Sequence, residues 1–252
     1  MADESRVVMV TGGGRGIGEA ITRAFHAAGD RVAIVSRTDS GLAASLGDRA
    51  CHVAADVAVS ADVDAAVARV VAWGRRLDVV VNNAGMSAWR PLGAIDDVFW
   101  ERMLAVNLTS VLYTLRAAAP HLQRGAAVVN VSSLAGKRGS ANNAAYCAAK
   151  FGVNGLTQSL AKELGPRGVR VNAVCPVYVE TDGLLEALAD PLSPAKGQDI
   201  AAYLAEFGRS QAALARLPLA SEIGSACVML ASNAASAVTG QCINVDCGVL
   251  PQ

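Results

Sequence analysis

Short apolar runs alternate with amphipathic stretches along the whole chain. Residues 6–10 (RVVMV) form a β-rich run of the kind a sheet buries on both faces. A glycine-rich turn follows, then a helical stretch that Gly29 can close, then a second run at 31–35 (RVAIV). Strand, turn, helix and strand within the first ~36 residues make one βαβ unit. The alternation continues with a strand at 52–54 ending near Asp56. A helix follows that Ser60 can cap, with Val63, Val67, Val70 and Val71 on one stripe. Further strands are predicted at 79–81, 126–131, 170–174 and 242–245. Long helices are predicted at 97–121 and 143–164, the latter closed by Gly165-Pro166, and a shorter one at 222–230.

Strands that alternate with helices predict a single-domain α/β Rossmann fold. Its doubly wound parallel sheet is covered on both faces and wound right-handed. No repeat, linker or low-complexity tract divides residues 1–252, so one catalytic domain is expected. In such sheets ligands bind outside the carboxyl ends of the strands. Thr11, Asp56, Asn82, Ser133 and Pro176 all follow predicted strands, so five segments converge on that edge.

Composition narrows the classes of function. Hydrophobic residues make up 52% and charged residues 17%, which suits a large packed core. Lys+Arg and Asp+Glu are both 22, so net charge offers nothing to nucleic acid or an anionic membrane. The acidic start and the shortness of the apolar run after Arg6 argue against a signal peptide, and the low-charge run 103–115 is too short for a bilayer. A cytoplasmic protein is expected. The six cysteines form no C-x-x-C pair and no ligand cluster with the three histidines. They read as small buried groups in a reducing compartment, and no metal site is expected.

Two motifs carry candidate chemistry. Thr11-Gly12-Gly13-Gly14-Arg15-Gly16-Ile17-Gly18 lies between the first strand and helix, where glycines admit a pyrophosphate and the helix N-terminus faces its charge. Tyr146 and Lys150 lie four apart at the start of a predicted helix, on one face. A neighbouring ammonium favours a phenolate, so Lys150 is expected to lower the phenol's pKa. Ser133 could bond the same substrate oxygen. After the second strand stands Ser36, then Arg37, where an NAD-specific site would place an acid. A hydroxyl can donate to a 2′-phosphate, and Arg37 and Arg15 can pair with it from two sides. NADP(H) is therefore expected, with NAD as the alternative.

These marks together resemble the short-chain dehydrogenases/reductases over nearly the whole chain. They are TGGGRGIG at 11–18, Asp56, Asn82-Asn83-Ala84-Gly85, Asn107, Ser133, Tyr146, Lys150, Pro176 and Thr181. The resemblance implies Tyr146 as acid/base, Ser133 as holder of the substrate oxygen, and Lys150 on the nicotinamide ribose. It implies that Asn107 holds a water in a proton relay. Gly12, Arg15, Ile17 and Gly18 would line the phosphates, with Asp56 and Val57 at the adenine. Asn82 would brace the central strands, with Ala84 and Gly85 beside the cofactor. Pro176, Val179 and Thr181 would lie at the nicotinamide. The chain departs from the family in having Val177 after Pro176 and Cys247 before Gly248, where glycine is usual.

The expected activity is hydride transfer between NADP(H) and a ketone or secondary alcohol. The rivals are a 3-ketoacyl-thioester reductase acting on acyl-carrier-protein or coenzyme A substrates, and a nucleotide sensor with a dead site. No G-x-S-x-G accompanies Ser133, which removes a serine hydrolase. Residues 182–216 are expected to form a substrate lid. Its five acids (182, 186, 190, 199, 206) against three bases (196, 209, 216) suit a neutral substrate. The apolar surface of the two long helices predicts a homotetramer, with a dimer as the rival.

Overall fold

The computed structural model describes residues 5–251, so the acidic start of the chain lies outside the described residues. Its elements run β1 (Val7–Thr11), α1 (Gly16–Ala27), β2 (Arg31–Ser36), α2 (Leu42–Leu46), β3 (Ala50–Ala54), α3 (Ser60–Gly74) and β4 (Leu77–Asn82). They continue α4 (Asp97–Leu104), α5 (Ser110–Ala118), β5 (Leu122–Val131), α6 (Ala144–Leu164), β6 (Arg170–Pro176), α7 (Asp182–Leu188), α8 (Ile200–Gln211), α9 (Ala220–Ala231) and β7 (Cys242–Val245). All seven strands pair in parallel, in the order β3-β2-β1-β4-β5-β6-β7.

The period of two decides which helices lie where. Within β1, Val7 and Met9 join a core with Val63, Val67 and Leu115, from α3 and α5. Val8 and Val10 join the opposite core with Ile21 and Phe25 of α1 and Ile223 of α9. Gly29 ends α1 at φ 96°, its N–H donating to His26 O, a conformation that costs glycine little.

Three local expectations are corrected. Ser60 does not cap α3: Val59 holds the cap position without a side-chain bond, and the Ser60 hydroxyl accepts from Arg116. The predicted helix 97–121 is broken by a π turn, Ala105–Thr109, between α4 and α5. Helix α6 passes into the 3-10 turn Gly165–Arg167, and the residue that reverses the chain is Gly168, at φ 78°.

The strand order reverses between β1 and β4, where Thr11 lies opposite Asn82. Consecutive connections leave this point in opposite directions, and a crevice opens at the carboxyl edge.

Candidate active site

The glycine turn after β1 is packed to a tolerance only glycine meets. A Cβ at Gly18 would drive into the Gly12 carbonyl, and one at Gly12, itself at φ 62°, would stand 3.0 Å from Ala84 Cα. Asn83 locks the arrangement, its Nδ2 donating to Thr11 O at 3.0 Å and Gly12 O at 3.1 Å. Thr11 Oγ1 accepts from the N–H groups of Asn83 and Ala84. The turn thus delivers the N-terminus of α1 to the crevice. Arg15 holds the cap position with no side-chain cap bond, so the first amides of α1 keep their donors for an anion. Ile17 is half-buried against the α1 core, and the exposed Arg15 side chain makes no hydrogen bond or ion pair among the described residues.

Asn82 and Asn83 divide the work of their motif. The Asn82 side chain is buried and points along the sheet, donating to Asn130 Oδ1 at 2.9 Å. Asn130 in turn donates to Thr157 Oγ1 on α6 at 2.9 Å. Asn82 therefore braces β4, β5 and α6, as expected of it, and Asn83 is the residue whose side chain touches the glycine turn. The repeated Asn in the sequence was the available signal.

The catalytic candidates come together through α6. Its N-terminal turns pack on the 3-10 turn Leu134–Gly136 that follows β5, where a Cβ at Gly136 would stand 2.7 Å from Lys150 O. Asn154 Nδ2 donates to Gly136 O at 2.8 Å. Ser133 caps that turn, its Oγ accepting from Ala135 N at 3.1 Å. Tyr146 stands in the first turn of α6. Lys150, one turn on, is 4% exposed; its Nζ donates to Val131 O at 2.8 Å and lies 5.6 Å from the Tyr146 ring centroid.

Asn107 sits at the centre of the π turn, fully buried. Its Nδ2 donates to Met103 O and its Oδ1 accepts from Met86 N, both at 3.0 Å. A Cβ at Gly85 would stand 3.0 Å from Asn107 Oδ1 and 3.8 Å from Lys150 Nζ, so glycine at 85 keeps open the space between them. The π geometry is what turns a polar residue in an apolar helix towards the crevice.

Burial governs the charges. It pushes the Tyr146 phenol up to about 12, and the Ser133 hydroxyl beside it pulls the other way. Burial pulls the Lys150 ammonium down to about 8. The expectation that Lys150 lowers the phenol is thus not met in the chain by itself. The ammonium donates to Val131 O, and desolvation is the largest cause at the phenol. At neutral pH these directions leave a protonated phenol beside a cationic amine.

The remaining candidates lie around the same edge. Asp56 Oδ1 accepts from Ala58 N at 2.9 Å, and Val57 is buried behind it. Pro176 ends β6, Val179 is buried in the α9-side core, and Thr181 caps α7, accepting from Leu184 N. A Cβ at Gly16 would meet Thr181 Cβ at 3.4 Å, so α7 begins against the phosphate turn. Val177 is not at positive φ, so its backbone accepts a β-branched residue without strain. Cys247 is at φ 55°, in the left-handed region. Ser36 Oγ donates to Thr38 O at 3.0 Å, which corrects the expectation of a free donor. Exposed Arg37 makes no hydrogen bond or ion pair among the described residues.

Segment 182–216 carries α7 and α8. Leu188 and Leu204 are buried with Trp89 in a cluster separate from both sheet cores, and Tyr178 packs edge-on to Phe207 at 4.9 Å. Trp89 and Tyr178 escaped the sequence reading, because they lie in loops with no periodicity.

Fold and site define a doubly wound α/β protein with a Ser–Tyr–Lys–Asn constellation at the carboxyl edge of its sheet. Residues 12–250 match a family model described as enoyl-(acyl carrier protein) reductase. The chain is 36% identical over 253 residues to the short-chain reductase protein NovJ of Streptomyces niveus, covering 97% of this chain and 94% of that protein. It superposes on ligand-free aldohexose dehydrogenase of Thermoplasma acidophilum with a TM-score of 0.89, at 30% identity and 98% coverage of both chains. With 3-ketoacyl-(acyl-carrier-protein) reductase of Brucella melitensis, solved with NADH, the TM-score is 0.86, at 31% identity and 98% coverage of both chains. The chain belongs to the short-chain dehydrogenase/reductase family, a family of oxidoreductases.

Proposed function

We propose that this protein interconverts a ketone and a secondary alcohol with NADP(H), using Tyr146 as acid/base. The observation that carries the reading is the buried Lys150 ammonium beside a phenol that burial keeps protonated. The cradle fits a dinucleotide, since the N-terminus of α1 is uncapped and glycines 12 and 18 cannot carry a side chain. Gly12, Arg15, Ile17 and Gly18 would hold the pyrophosphate, Asp56 and Val57 the adenine, and Ala84 and Gly85 the neighbouring ribose. Pro176, Val179 and Thr181 would hold the nicotinamide.

The cofactor supplies or accepts the hydride. Ser133 bonds the carbonyl oxygen and polarises it. Tyr146 gives its Oη proton to that oxygen as negative charge develops there. The Lys150 ammonium stabilises the phenolate that remains. Asn107 fixes the loop at Met86 to the π turn and marks the route by which the proton is replaced. In oxidation the same groups act in reverse.

Arg15 and Arg37, unpaired on the two sides of the turn, support a 2′-phosphate over NAD(H). The lid at 182–216 closes the substrate space with an apolar face, which supports a neutral ketone over a thioester of coenzyme A or a carrier protein. We place the protein in the cytoplasm, as one domain and a homotetramer, with a dimer as the alternative. The test is a screen of simple ketones, sugars and 3-ketoacyl thioesters with NADPH and NADH, followed as loss of reduced cofactor. The reading expects turnover of free ketones with a higher kcat/KM for NADPH. Activity confined to thioesters, or a tenfold preference for NADH, contradicts it.

A further inference from the structure

The loop after β2 is built into the glycine turn. Gly12 N donates to Val35 O at 2.7 Å, and a Cβ at Gly14 would stand 2.8 Å from Ser40 Oγ. Ser36 therefore stands at the rim where the adenosine 2′ position is read in this fold. His52, on the neighbouring β3, faces it. Its Nε2 lies 3.1 Å from both Ser36 O and Ser36 Oγ. A carbonyl oxygen only accepts, so Nε2 carries a proton. The Ser36 hydroxyl spends its own proton on Thr38 O. His52 Nδ1 lies 4.0 Å from Asp39 Oδ2.

We propose that His52 is a specificity-determining residue for the 2′ end of the adenosine, its imidazolium favouring a 2′-phosphate over a 2′-hydroxyl. This rests on the NADP(H) reading of the same site. With His52 neutral, Asp39 is the charged group beside the imidazole, and a carboxylate repels a phosphate. A proton on Nδ1 offsets that charge, faces the Asp39 carboxylate, and joins Arg37 on the attractive side. The other titratable groups along this groove are Asp48 and Cys51. The Cys51 thiol is pushed up to about 11 by burial and stays neutral. The charged imidazole is the form that attracts the phosphate, so preference for the phosphate is expected to grow as pH falls. By linkage, bound phosphate favours the imidazolium.

The test uses 2′,5′-ADP and ADP, which differ by the 2′-phosphate and need no nicotinamide site. Their affinities for the full chain are measured by calorimetry at pH 6 and 8.5, in wild type and His52→Gln. Gln keeps a donor towards Ser36 and loses the charge. The phosphate's own second ionisation, near pH 6, falls equally on both proteins, so they are compared at each pH. At pH 6 the affinity ratio of 2′,5′-ADP to ADP is expected to be roughly tenfold higher in wild type than in His52→Gln, and at pH 8.5 the two ratios converge. Equal ratios in both proteins at pH 6 overturn the role of His52 while leaving NADP(H) intact. A wild type that binds 2′,5′-ADP no tighter than ADP at either pH overturns both readings. Should His52→Gln fail to fold, the wild type suffices: it has three histidines, and the NMR titration of one must move to higher pH on binding 2′,5′-ADP. No shift in any of them refutes the proposal.

Discussion

Lys150 shows how the site trades stability for chemistry. Its folded-state pKa of about 8 lies below the ordinary 10.5. The unfolded chain therefore binds the extra proton between those values, and stability rises with pH across that window. Each pKa unit is about 1.4 kcal/mol, so a charged Lys150 costs on the order of 3 kcal/mol at neutral pH. Lys150→Met keeps the volume, removes the charge and leaves Val131 O unpaired. We expect a net gain of about 1–2 kcal/mol, a Tm several degrees higher by calorimetry, and loss of turnover. A lower Tm would show that the ammonium holds the fold. Cys247 is a second residue under strain, at φ 55° in the left-handed region that favours glycine. Cys247→Gly is expected to raise stability by about 0.5–1 kcal/mol in urea unfolding, with activity unchanged. The position of Tyr146 and Lys150 on one helical face was legible in their spacing. The direction of the phenol's shift was not, since it depends on burial that no spacing reveals.

At the scale of elements, the Asn82–Asn130–Thr157 chain joins two strands to α6 through buried side chains. Asn130→Ala strips partners from Asn82 Nδ2 and Thr157 Oγ1. The expected cost is about 2–4 kcal/mol, read as a lower denaturation midpoint. A change below 0.5 kcal/mol would mean that water or rotation replaces the bonds. Strands and their order of appearance were legible, because short apolar runs of three to six residues, most of them rich in valine, alternate with helical stretches and leave few alternatives. Some ends were read short, as at Leu122–Val131, where Gln123, Arg124 and Gly125 behind buried Leu122 are exposed and break the apolar run. The π turn at Ala105–Thr109 had no signal beyond a lone Asn in an apolar run. The short helix Leu42–Leu46 has none, being too brief to show a period.

At the scale of the whole molecule, helices α4, α5 and α6 carry four of the exposed large apolar side chains. Val98 and Trp100 on α4, Leu112 on α5 and Phe151 on α6 are all at least 38% exposed. A monomer rarely leaves such groups in water together. We expect light scattering at micromolar concentration to report a tetramer, and Leu112→Glu with Phe151→Glu to dissociate it; a stable wild-type monomer contradicts this. The parallel sheet and its converging carboxyl edge followed from the alternation of elements, whereas the part of Trp89 and Tyr178 in the cluster beside α7 and α8 did not, because loops carry no pattern. The account as a whole turns on one proton at Tyr146 Oη. The direct measurement is kcat for ketone reduction in Tyr146→Phe, with NADPH affinity measured in parallel by fluorescence. The account predicts a fall of at least ~1,000-fold in kcat with NADPH affinity within about threefold of wild type. A variant that keeps more than a tenth of wild-type turnover would contradict it.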